Sequence, residues 1–187
     1  MVNKRDLVLQ KKRPKRTQLL LLVGVLVIGV VAVIAFNTAN KSKVASLPYA
    51  TELAPQNYQQ QRISQTPVES IVANGTIQIP LQELQANKFI ITTYTSGTKS
   101  LKLTSYIAPS GKVITAVSIC EPCRSETFHI AGNHLVCNAC NTRWVLETLQ
   151  GISGGCLNYP PDVLESTVEN GNIVIAESLV ANWQPRV

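Results

Sequence analysis

The sequence predicts a mainly β fold, a β-meander plus a cysteine-knuckle, ribbon-like metal site, preceded by one N-terminal transmembrane helix. Three observations predict it. There is an unbroken apolar run near the N-terminus, there are short stretches alternating apolar and polar residues between turn signals, and all five cysteines fall between positions 120 and 156.

The apolar run, Leu19 to Phe36, contains no charged or strongly polar side chain. Its eighteen residues at the helical rise just cross a hydrocarbon core about 30 Å thick. Lys4, Arg5, Lys11, Lys12, Arg13, Lys15 and Arg16 precede it, against only Lys41 and Lys43 just after it. The positive-inside rule therefore puts the N-terminus in the cytoplasm and the remainder outside, as a single-pass protein of the cell membrane. A cleaved signal peptide is the competing reading, but its apolar region is usually about 7 to 15 residues long and ends at small residues. This run is longer and ends at Phe36-Asn37, which favours an uncleaved signal anchor; either way the rest of the chain lies on the same side.

The formal net charge of +6 raises the possibility of nucleic acid as a partner. From Asn37 onward, however, ten basic residues face ten acidic ones, so the excess belongs to the tail. The positive stripe that phosphate binding needs is missing, and nucleic acid is set aside as a partner.

Four segments follow: a basic cytoplasmic tail over 1–18, the transmembrane anchor over 19–36, a polar tether over 37–67 and an extracytoplasmic domain over 68–187. The tether is read from Pro55, Pro67 and the Gln-rich stretch between them, which offer few clustered apolar residues to bury. Within the domain, Thr76 to Pro80 reads as a strand after an Asn74-Gly75 turn, and Lys88 to Thr95 as a stronger one. Leu101, Leu103, Ser105 and Ile107 alternate with Lys102, Thr104 and Tyr106, predicting a half-buried strand that ends at Pro109-Ser110-Gly111. Val113 to Ile119 returns and delivers the chain to Cys120. Val163 to Val168 and Asn172 to Glu177 flank an Asn170-Gly171 turn, and Val68 to Ile71 and Leu81 to Asn87 read as short helical turns.

The cysteines are arranged as Cys120-Glu121-Pro122-Cys123, thirteen intervening residues, Cys137-Asn138-Ala139-Cys140, and then Cys156 behind Gly154-Gly155. A Cys-x-x-Cys turn points two sulfurs at one centre, and two such turns supply four thiolates in a tetrahedral array suited to zinc or an iron–sulfur centre. Covalent haem attachment needs a histidine after the second cysteine, where Arg124 and Asn141 stand. A thioredoxin-type pair is expected beside a βαβ pattern, which is not visible. Disulfide bonding is the serious alternative, since an oxidising compartment favours it. A bridge within one Cys-x-x-Cys closes only a tiny loop, however, and an odd fifth cysteine leaves one thiol over. His129 and His134 read as hairpin residues, Trp144 as core packing over the site, and Arg143 as a solvated charge. Cys156 is a substitute ligand, an outer thiol or a redox gate. Hydrolytic and phosphoryl-transfer chemistry lack the residue patterns they require.

Ile79-Pro80-Leu81, Phe89 to Tyr94, Ser110-Gly111-Lys112-Val113, the two cysteine pairs with Gly132-Asn133-His134-Leu135-Val136, and Gly154-Gly155-Cys156-Leu157-Asn158-Tyr159-Pro160 together resemble a known family. It is the FtrD-like membrane iron–sulfur proteins associated with bacterial ferrous-iron permeases. The resemblance covers roughly residues 75 to 165. It implies a metal-binding domain, described for the family as iron–sulfur, working with an iron permease and a copper-handling partner, with Cys120, Cys123, Cys137, Cys140 and Cys156 at its metal positions. Some relatives carry several membrane spans, whereas this chain has one anchor. Zinc and copper stay open beside iron, because Cu(I) also prefers soft thiolates.

The first expectation is a binding or redox module in which Cys120, Cys123, Cys137 and Cys140 hold the centre and Cys156 tunes or completes it. A thiol–disulfide oxidoreductase is the second, and a domain using zinc or disulfides for stability alone is the third.

Overall fold

The structure, a computed structural model, describes residues 48–187. The tail over 1–18, the anchor predicted over Leu19 to Phe36 and the first part of the tether lie outside the described residues. Among the described residues no helix is long and apolar enough to cross a membrane.

The predicted meander is the middle of the domain. Strands β5 (Phe89–Ser96), β6 (Lys99–Ile107) and β7 (Val113–Val117) pair consecutively and antiparallel. Strand β2 (Thr66–Pro67) adds to β5 in parallel, and β12 (Val163–Leu164) adds to β7. A four-stranded sheet runs in the order β13 (Thr167–Glu169), β14 (Asn172–Ala176), β4 (Thr76–Pro80), β3 (Ile71–Ala73). Its two hairpins close at the predicted Asn170-Gly171 and Asn74-Gly75 turns. The remaining sheet has the order β1 (Arg62–Ser64), β8 (Phe128–Ala131), β9 (His134–Cys137), β10 (Arg143–Val145), β11 (Gly151–Ser153). Helix α1 (Leu81–Asn87), predicted as a helical turn, links β4 to β5, and α2 (Glu177–Ala181) follows β14.

Period-two alternation sorts β5, β6 and β7 into two cores rather than one core and a wet face. Phe89, Tyr106 and Ile114 stand in register and join Phe128, Ile130, Leu135 and Trp144 of the cysteine-bearing sheet. Ile90, Tyr94, Leu103, Ile107, Val113 and Val117 point the other way, onto Ile77, Ile79, Ile173 and Ile175 of the four-stranded sheet. The half-buried strand expected at 101–107 is therefore buried on both sides from Leu103 onward. Its buried Thr104 and Ser105 hydroxyls are satisfied internally: the Thr104 hydroxyl donates to the Ile90 carbonyl, and the Ser105 and Thr115 hydroxyls bond at 2.8 Å, whereas the Tyr106 hydroxyl meets no partner among the described residues.

Residues 48–67, the described part of the stretch read as a tether, are built into the domain. Tyr58 is fully buried in the first core and its hydroxyl donates to the Ile107 carbonyl at 2.7 Å. Ala50 and Leu53 pack on the second core, and the backbone of 50–53 pairs along the Gly111–Val113 segment. Gly111 permits this approach, since a β-carbon there would lie 2.0 Å from the Leu53 carbonyl oxygen. Composition concealed these contacts because a few spaced anchors, Ala50, Leu53 and Tyr58, do the burying between polar neighbours. The turn of helix expected at Val68 to Ile71 is also extended chain: the Val68 N–H is taken by the Ile91 carbonyl, and Ile71 opens β3.

Candidate metal centre

Two matching turns present the paired cysteines at one end of the β8–β9 hairpin. In the first, Glu121–Cys123 makes a single 3-10 turn, Arg124 takes the left-handed conformation, and the Cys120 N–H donates to the Ser125 carbonyl at 2.7 Å. In the second, Asn141 is left-handed and the Cys137 N–H donates to the Thr142 carbonyl at 3.0 Å. Both chains thus wrap back around their first sulfur. Asparagine tolerates that conformation well; arginine adopts it at some cost.

All five sulfurs converge. Cys120 and Cys140 Sγ are 3.8 Å apart, Cys123 and Cys137 3.6 Å, and Cys140 and Cys156 3.8 Å. The sulfurs of Cys120, Cys123, Cys140 and Cys156 lie within 4.8 Å of one another, and Cys137 meets this group through Cys123. Cys156, for which the sequence left a ligand, an outer thiol and a redox gate open, is therefore a full member of this mutually close set. None of the five is in a disulfide.

Thr142, which sequence reasoning missed, places Cys156. Its hydroxyl contacts Cys140 Sγ at 3.2 Å and accepts the Cys156 N–H at 3.2 Å, so one buried side chain ties the second turn to the fifth cysteine. Trp144, fully buried as expected, adds a bond from its indole N–H to the Leu157 carbonyl at 3.1 Å. The only forewarning of Thr142 is its place two residues after Cys140.

The thiols differ electrostatically. Burial pushes the Cys120 thiol well above the ordinary range, helped by hydrogen bonds with the Cys123 and Cys156 thiols. Burial also raises Cys137, against the lowering effect of the Cys140 and Ala139 N–H groups and the Ser125 hydroxyl. At Cys140 burial again opposes ionisation, but hydrogen bonds from the Thr142 hydroxyl and N–H, then from Cys137 and Cys123, outweigh it and bring the thiol down to about 6.

The histidines fall outside the sulfur group. His129 is buried on β8 with Nε2 2.7 Å from Arg62 Nη1 and Nδ1 2.6 Å from Asn138 Oδ1. Arginine only donates, so Nε2 accepts and Nδ1–H donates to Asn138, which pins the second turn. His134 is a half-buried hairpin residue on β9, and Arg143 is exposed.

The donor set fits one soft metal ion. Bonds of about 2.3 Å to four sulfurs at tetrahedral angles set the sulfurs about 3.8 Å apart; Cys140 stands at 3.8 Å from both Cys120 and Cys156, and all four sulfurs of the close set lie within 4.8 Å of one another. A polynuclear cluster, with its cysteines on different irons, would require the sulfurs to move apart. Access is from the turn tips, where Pro122, Arg124, Asn138 and Ala139 are exposed and Cys123 and Cys140 half-buried.

A family model described as membrane iron-sulfur containing protein FtrD-like matches residues 84–187, more than half of the chain and all five cysteines. No curated protein and no solved structure matches.

Proposed function

The chain belongs to the FtrD-like family of membrane iron–sulfur proteins, and from that premise we propose that it is a membrane-anchored, extracytoplasmic metal-handling or electron-transfer module linked to iron uptake. The observation that carries this reading is the convergence of Cys120, Cys123, Cys140 and Cys156 within 4.8 Å. These four are the ligands and Cys137 is the fifth sulfur beside them. Bound iron would supply a one-electron couple, whereas zinc or copper would serve as a held or transferable soft cation. The chain's own contribution is to gather the thiolates, with Thr142 and the N–H groups of the second turn stabilising their charge, and to leave the Cys123 and Cys140 edge open to a partner. An iron permease, or a copper-handling protein beside it, is the partner proposed; the basic tail before the apolar run supports an extracytoplasmic domain.

Elemental analysis and an absorption spectrum of anaerobically purified full-length protein test the reading. About one metal ion per chain with sulfur-to-metal charge-transfer bands is expected; metal-free protein whose thiols stay unprotected from alkylation would overturn it. A reporter enzyme fused after Val187 tests the placement, with activity expected only outside the cytoplasm.

A second reading is favoured by the Cys140 thiol, which is brought down to about 6 and has Cys120 and Cys156 sulfurs 3.8 Å away. Such a pair suits thiol–disulfide exchange with a partner. Trapping a mixed disulfide on Cys140, with no metal retained, would favour it over the metal centre.

A further inference from the structure

Glu121 sits between the first two cysteines with its side chain wholly buried. A buried carboxylate next to sulfurs that bind metal as anions is unfavourable unless an opposite charge meets it. Arg186 supplies that charge from the far end of the sequence. Its backbone N–H, Nε and Nη2 all bond to the two carboxylate oxygens of Glu121. The same guanidinium donates through Nη2 to the Pro160 carbonyl at 2.7 Å and lies 5.7 Å from the centre of the Tyr159 ring. Tyr159 in turn returns its N–H to the Cys156 carbonyl at 3.0 Å. One side chain therefore joins the turn that carries Cys120 and Cys123 to the loop that carries Cys156.

The tail that brings Arg186 there is itself fastened. Trp183 Nε1 donates to Asp162 at 2.9 Å, and Lys99 Nζ donates to the carbonyls of Ala181 and Trp183 at 2.6 and 2.8 Å. We propose that Arg186 is a positioning residue that clamps the Cys156 loop onto the first cysteine turn through Glu121 and Pro160, and so controls how readily the ligand set opens to release its metal. The proposal rests on the metal-centre reading. A planar guanidinium can serve the carboxylate and the carbonyl at once, which a lysine ammonium does less well.

The test uses full-length protein in detergent, loaded with Co(II), and follows loss of the cobalt bands on addition of EDTA. In parallel, N-ethylmaleimide labelling of the reduced, metal-free protein is read cysteine by cysteine by peptide mass spectrometry. Arg186→Ala is expected to bind the same amount of Co(II) as the wild type, to release it about tenfold or more faster, and to label faster at Cys156 alone. Arg186→Lys should fall between the two. Wild-type release and wild-type Cys156 labelling in Arg186→Ala overturn the clamp, as does faster labelling at all five cysteines, which would signal general loosening. If Arg186→Ala fails to fold, Arg186→Lys and Glu121→Gln decide the matter, with faster Cys156 labelling supporting the clamp and unchanged labelling overturning it. If wild-type protein takes up no Co(II), the metal-centre reading fails, and the clamp is judged by Cys156 labelling alone.

Discussion

Gly154 lies so close to Thr142 that a β-carbon on it would stand 2.5 Å from the Thr142 hydroxyl oxygen and 2.6 Å from its α-carbon. Gly154 also has a φ of 113°, which side chains rarely adopt. Gly154→Ala should therefore push the Cys156 loop away from Thr142, costing about 1–3 kcal/mol of stability and loosening metal binding. Nothing lies within 4 Å of a β-carbon built on Gly155, so Gly155→Ala should be the milder change. Denaturant midpoints and metal stoichiometry of the two variants check this; equal effects would contradict it.

The five cysteines should divide four to one. Replacement of Cys120, Cys123, Cys140 or Cys156 by Ser removes a sulfur from the mutually close set and should empty the site. Cys137→Ser should retain metal with affinity lowered about 10- to 100-fold, as expected for a group acting beside the ligands. Elemental analysis decides; metal kept by Cys156→Ser and lost from Cys137→Ser would reverse the assignment.

The pH dependence of the metal-free protein follows from Cys140. Its thiol is brought down to about 6, so the thiolate predominates above that pH and is lost below it. Because the folded value lies under the unfolded one, ionisation of Cys140 stabilises the fold most fully above the ordinary thiol range, and this contribution disappears as the pH falls towards 6. Alkylation by iodoacetamide at pH 7 should thus favour Cys140 over the buried, raised Cys120. Thr142→Val should move the Cys140 midpoint upward; a midpoint left near 6 would remove Thr142 as the cause.

Much of this was legible in the sequence, and the omissions have physical reasons. Strand positions, both Asn-Gly turns and the convergence of the cysteine pairs follow from alternation, turn chemistry and short spacing, which act locally. The placement of Cys156 depends on Thr142 and Gly154, fourteen and two residues away, and no local pattern reports a contact between them. The same holds for Glu121 and Arg186. Residues 50–58 misled because composition averages over a window, whereas three spaced apolar side chains suffice to dock a strap.

The chain should accordingly tolerate loss of residues 1–40 but not of 1–67. The longer truncation removes Tyr58, strands β1 and β2, and Arg62 with its contact to His129. Tyr58→Ala alone should cost about 3–5 kcal/mol, as for other buried aromatics. Thermal melts of the two shortened chains check the boundary; matching melts would return it to residue 68.

Strand β6 carries Tyr106 into one core and Leu103 and Ile107 into the other. Neither outer sheet can detach without stripping a face of that strand, so the three layers form one cooperative unit, with Trp144 in one core and Trp183 against the other. Any ion held by the cysteines then stabilises the distant Asn170-Gly171 hairpin by mass action as surely as it stabilises its own ligands. If the cysteines hold an ion, the unfolding free energy of the whole domain should therefore rise with the free metal concentration.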